Sequence, residues 1–155
     1  MPVKVFESLL NASVEEVWAF HGSVEALKAL TPPNQNVTIV GPETAVRNGA
    51  LHQLRVVRGL LPLHWHARIS EVEPPNRFVD TAERSPFRRW RHTHEFLPAP
   101  GGATLLRDTV DYELPMGPLG RLIDRLWASR DIDRLFAFRH QATQRALSAN
   151  ARTPD

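Results

Sequence analysis

The chain has 155 residues, a formal net charge of +2 and no cysteine. One domain of that length buries enough apolar surface to stand without a staple. The missing cysteines exclude a disulfide framework, a thiolate nucleophile and Cys-ligated zinc.

Acidic residues are interspersed among the arginines, whereas a nucleic-acid binder shows a segregated basic face. No apolar run is long enough to span a membrane. The opening MPVKVFESLL is too short for a signal peptide and carries Glu7. A reducing, cytoplasmic setting is therefore expected.

Residues 2–11 alternate, with Val3 and Val5 on one side and Lys4, Phe6 and Ser8 on the other, which predicts a strand. Ser13 followed by Glu16 forms a capping box and starts a helix with Val14, Val17, Trp18 and His21 on one face. Gly22 ends it. Ser23 caps a second short helix that stops before Pro32 and Pro33. Period-two patterning then predicts strands over 36–40, 50–58, 63–73, 77–84, 88–97 and 103–113, separated by Gly- and Pro-rich turns.

The period returns to helical after LPMGPLG. Over 118–148, Leu119, Leu122, Ile123, Leu126 and Trp127 form one stripe, and Leu135, Phe138, Ala142 and Ala146 another, slightly out of phase. A kink or break is expected near 128–130, where Ser129 precedes Asp131. The order is β-α-α-β6-α: an α+β fold, one domain over 1–149, with a disordered tail over 150–155.

This order resembles the START/SRPBCC superfamily, the helix-grip fold of polyketide cyclases and lipid-transfer domains. The pieces that carry the likeness are SVEEVWAFHGSVEALKALTPP, the run from Trp65 to Phe78, SPF–W–H–H–F from Ser85 to Phe96, and D–V–Y–LP–G–LG from Asp108 to Gly120. Ser85 departs from the Gly that often precedes Pro-Phe in the bacterial cyclase/dehydrase-like branch. The resemblance implies a curved antiparallel sheet wrapped around the long C-terminal helix, with a cavity between them for a hydrophobic or aromatic small molecule. Trp65, Trp90, Phe96, Tyr112, Leu122 and Leu126 are its expected walls. The short helices around Trp18 and Leu27, with the GLLP loop, flank its entrance.

Alternation sorts the Arg-, His- and aromatic-rich stretch 85–96. Arg88, Trp90, His92, His94 and Phe96 share one face, and Arg89, Arg91 and Glu95 the other. Trp90 and Phe96 turn their face inward and carry His92 and His94 with them. On the neighbouring strand Asp108 shares a face with Leu106, Val110 and Tyr112. A buried carboxylate needs a donor, and His92 or His94 supplies one, raising the imidazole pKa and lowering that of the carboxylate. Three roles stand open for such a pair: structural hydrogen bonding, ligand contact, and proton transfer in a cyclase, aromatase or dehydratase.

His64-x-His66 and His92-x-His94 each have chelating spacing, and Glu71 extends the first toward a cupin-like motif. The flanking glycines and prolines of that motif are missing, and alternation turns His64 and His66 to solvent. No metal or other cofactor is expected. Nor is there a G-x-S-x-G elbow, a P-loop or a G-x-G-x-x-G loop. A protein-interaction module is the remaining class, marked by exposed apolar residues such as Leu60 and Leu61.

Overall fold

Residues 2–150 are described by a computed structural model, with side chains through Ser148. Alternating patterning becomes seven antiparallel strands: β1 (Val3–Leu10), β2 (Gln35–Ile39), β3 (Leu51–Arg58), β4 (Leu61–Glu73), β5 (Arg77–Arg84), β6 (Arg89–Ala99) and β7 (Ala103–Glu113). They form one sheet in the order β1-β7-β6-β5-β4-β3-β2. The chain thus runs as a meander from β2 to β7, and β1 closes beside β7. Along β7 burial alternates strictly: Thr104, Leu106, Asp108, Val110 and Tyr112 are buried. Across β1 the inward side is Phe6 and Ser8, while Val3, Val5 and Leu9 stand exposed on the outer face.

Two short helices, α1 (Val14–His21) and α2 (Val24–Ala29), follow β1. Ser13 Oγ accepts from the Glu16 amide at 3.2 Å, and the Glu16 carboxylate accepts from the Ser13 amide at 2.7 Å, so the capping box is complete. The C-terminal helical region comprises α3 (Gly117–Ile123), a π-helical turn (Asp124–Ala128) and α4 (Ser129–Asn150). Residues 151–155 of the expected tail lie outside the described residues. Gly120 permits α3 to dock: a Cβ there would meet the Pro115 carbonyl oxygen at 2.1 Å.

The expected break near 128–130 takes a different form. Ser129 is itself helical, and the irregularity is the π turn just before it. A π turn inserts one extra residue and rotates what precedes it, which explains the phase difference between the two stripes. Tyr112 donates its hydroxyl hydrogen to Asp124 Oδ1 at 2.7 Å, tying the start of that turn to β7. The buried stripe of α4 is Ile132, Phe136, His140, Thr143 and Leu147 rather than the one expected, of which only Ala142 is fully buried. The true stripe contains a histidine and a threonine, so a count of apolar residues alone selects a neighbouring face.

Two apolar clusters fill the space between sheet and helices. One gathers Leu10, Val14, Val17, Ile69, Phe78, Phe96, Leu106 and Leu147, with Trp18 of α1 edge-on to Phe78 and Phe96. The other gathers Trp90, Val110, Tyr112, Ile132 and Phe136. Phe136 stacks on Phe6 with ring centroids 4.6 Å apart. Ionic ties fix α4 at both sides of the sheet: Lys4 of β1 reaches Asp133 at 2.5 Å, and Arg58 of β3 grips Asp131 through two bonds of 2.6 and 2.8 Å. Phe136→Ala removes a fully buried ring and is expected to destabilise the protein by about 3–5 kcal/mol in urea denaturation.

Candidate functional site

A polar seam separates the two apolar clusters. Strand pairing builds it: Asp80 of β5 lies opposite His92 of β6, and His94 lies opposite Asp108 of β7. His92 Nε2 donates to Asp108 Oδ1 at 2.8 Å, and its Nδ1 lies 3.3 Å from Asp80 Oδ2. His94 Nε2 donates to the same Asp80 oxygen at 2.8 Å. The two imidazoles lie against each other, centroids 3.7 Å apart. From α4, His140 Nε2 donates to Asp108 Oδ2 at 2.7 Å, and its Nδ1 accepts from the Ser8 hydroxyl of β1 at 2.7 Å. Aromatic rings flank the seam: His94 stacks on Phe78 at 4.1 Å, and His92 meets Phe136 edge-on at 5.0 Å.

Charge within the seam follows from this geometry. Burial opposes an imidazolium at His92, but the Asp80 and Asp108 charges and hydrogen bonds override it and push its pKa up to about 9. Burial likewise works against the Asp108 carboxylate, yet charged His92 and the donors His140 and His92 hold its pKa well below the usual range. Burial also works against the Asp80 carboxylate, but charged His92 and hydrogen bonds from His92 and His94 lower its pKa. His21 of α1 is the contrary case. Burial and the neighbouring His94 drive its pKa down to about 4, although its Nδ1–H donates to the Val17 carbonyl at 2.9 Å.

His92, Asp108, Trp90, Phe96 and Tyr112 are buried, while His94 and Trp65 are half-buried. His92, His94 and Asp108 come together in the seam, and Trp65, Trp90 and Tyr112 gather in the second apolar cluster. Phe96 instead packs under Trp18 and Phe78 in the first cluster. Leu122 and Leu126 depart from expectation. They are 51% and 63% exposed, because the π turn phases α3 and the residues after it away from the sheet. Trp18, expected near the entrance, is half-buried and packs against that first cluster.

Asp80 and His140 escape the sequence reading. Asp80 alternates with Phe78 and Ala82, and His140 falls four residues after Phe136, so each stands in register with buried neighbours. His64 is exposed, and Glu71 pairs on the outer face with Arg77 and Arg91. Arg89 pairs with Asp111. The arginines of the 85–96 stretch are thus matched by acids.

One part of the inner face is left open. Leu54 pairs with Trp65 and Val56 with Leu63, which places all four on one face, and all are only half-buried. Trp65 meets Phe87 and Trp90 at 6.0 and 5.2 Å, and Leu135 of α4 packs against the same cluster. These residues form a half-buried apolar strip, a shallow trough, on the inner face of β3 and β4. A separate cleft of about 210 Å³, bordered by Pro2, Leu114, Arg121 and Asp124, lies at the β7–α3 turn.

The opposite shifts of His92 and His21 make a pH test. The stability that His92 contributes is complete below its ordinary value of 6.5 and is lost as pH rises through about 9; that of His21 is complete above 6.5 and is lost as pH falls through about 4. Ring-nitrogen NMR of chelator-treated, metal-free protein at neutral pH is expected to show His92 doubly protonated and His21 neutral.

The pattern that defines the polyketide cyclase / dehydrase and lipid transport family matches residues 10–137. No curated protein matches the chain. Among solved structures, a Thermus thermophilus protein superposes with a TM-score of 0.76 at 20% identity, covering 98% of this chain and all of its own. A Chromobacterium violaceum protein gives 0.76 at 16%, covering both chains completely. A START superfamily protein from Mycobacterium smegmatis gives 0.67 at 14%, covering 95% of this chain and 97% of its own. With a helix-grip sheet closed by a long C-terminal helix and a family pattern spanning most of its length, the chain belongs to the polyketide cyclase / dehydrase and lipid transport family.

Proposed function

We propose that the protein binds a hydrophobic or aromatic small molecule in the trough between β3–β6 and α4. The observation that carries this reading is the row Leu54, Val56, Leu63 and Trp65: inward-facing by register, apolar, and only half-buried. An apolar face left incompletely covered beside a few fixed polar groups is the usual composition of a small-molecule site. Trp65, Phe87 and Trp90 offer ring faces and edges for an aromatic ligand. His94 and Asp80, with side chains 14% and 16% exposed, are the seam members a ligand oxygen reaches first. His92 is less suited to direct contact, since both ring nitrogens already face carboxylates.

A cyclase or dehydratase is the second reading, favoured by the same half-buried imidazole–carboxylate pair at 2.8 Å, which suits proton transfer α to a carbonyl. The variants His94→Ala and Asp108→Asn separate the two. An enzyme loses turnover while keeping affinity, whereas a carrier changes in affinity alone.

Native mass spectrometry of the purified protein is expected to reveal a bound small molecule. The naphthalene dye ANS is expected to bind with quenching of tryptophan emission, and Trp65→Ala to weaken it about tenfold, or about 1.4 kcal/mol. Absence of a bound molecule, together with dye binding insensitive to Trp65→Ala, would overturn the reading.

A further inference from the structure

The seam holds a donor set that the sequence spacing alone does not reveal. His92 and His94 share a face of β6, and Asp80 enters from β5 by strand pairing, so that one ligand atom from each lies within 4.8 Å of the others. We infer that Asp80, His92 and His94 form a two-histidine, one-carboxylate site for a single divalent transition-metal ion such as zinc, cobalt or iron(II).

The distances suit an ion. Two donors each bonded at about 2.0–2.1 Å lie about 2.9 Å apart at a right angle and about 3.4 Å apart at the tetrahedral angle. His94 Nε2 and His92 Nδ1 lie 2.8 and 3.3 Å from the same Asp80 oxygen, Oδ2. Two imidazoles and one carboxylate leave coordination positions open, an arrangement that zinc and non-haem iron sites share. Asp80 and His94 keep residual exposure, so the donor set is not sealed from solvent.

The second argument concerns the far side of the rings. Metal-bound imidazoles turn their other nitrogen to a carboxylate, which fixes tautomer and orientation. Asp108 is in that place for both: its Oδ1 lies 2.8 Å from His92 Nε2 and 3.3 Å from His94 Nδ1. His94 Nδ1 is buried and has no hydrogen-bond partner. It lies 3.3 Å from Asp108 Oδ1 without hydrogen-bond geometry. Nε2 spends its hydrogen on Asp80, which leaves a lone pair at Nδ1 facing an anionic oxygen. An ion on Nε2 moves that hydrogen to Nδ1, on the side of Asp108. Asp108 is steadied in turn by His140, and His140 by Ser8. Every ring nitrogen of the two histidines then faces the ion or a carboxylate, and the two aspartates balance the charge of the ion. The site shares Asp80 and His94 with the proposed ligand site but does not depend on that reading, because cobalt alone reports on it.

The test is titration of chelator-treated full-length protein with cobalt(II) alone, followed by calorimetry and visible absorption. One ion per chain is expected, with zinc competing for it. In the unmodified protein, paramagnetic cobalt is expected to broaden the ring signals of His92 and His94 ahead of those of His64 and His66, which locates the site without any substitution. Asp80→Asn and His94→Gln are each expected to weaken cobalt binding by at least about tenfold, while a double His64→Ala, His66→Ala variant leaves it unchanged. No saturable binding, broadening centred on His64 and His66, or affinity untouched by Asp80→Asn and His94→Gln in variants with native circular dichroism would overturn the assignment.

Discussion

The Asp108 carboxylate is the constraint around which the rest is arranged. It sits 5% exposed on β7 and accepts from His92 across the sheet and from His140 on the helix that covers it. A buried carboxylate is tolerable only with such donors, so the seam demands that sheet and helix meet in one register. His140 passes the requirement on to β1 through Ser8. One side chain thereby links two strands of the sheet to α4, and the two apolar clusters pack on either side of the link.

This arrangement also explains why the interior is not uniformly filled. α4 is held to β1 by Lys4–Asp133 and to the far end of β3 by Arg58–Asp131, and its buried stripe meets the seam at His140. The inner face of β3 and β4 receives less cover, so Leu54, Val56, Leu63 and Trp65 keep partial access to solvent. A polar band against an open apolar face gives a ligand both orientation and contact area, as in many small-molecule sites.

Much of the fold was legible in the residues, because strands and turns carry their signals locally. The Trp90–Phe96 alternation turned His92 and His94 inward, and Leu106, Val110 and Tyr112 did the same for Asp108. What local patterning could not supply was the third dimension. Asp80 joins the histidines only through pairing of β5 with β6, a register no single strand encodes. His140 was passed over because a histidine does not register in an apolar stripe. Leu122 and Leu126 were misplaced because helical periodicity assumes 3.6 residues per turn throughout, and the π turn breaks that assumption.

The π turn has a consequence for which face α3 presents. Leu119 and Leu122 before the turn and Leu126 within it stand exposed, while the stripe of α4 beyond it is buried. Excising a residue there would restore ordinary winding and rotate α3 relative to α4. Which way that edge of leucines faces is therefore governed by chain length at one point of a helix, a variable that insertion and deletion can change in a single step while leaving the chemistry of the interior as it was.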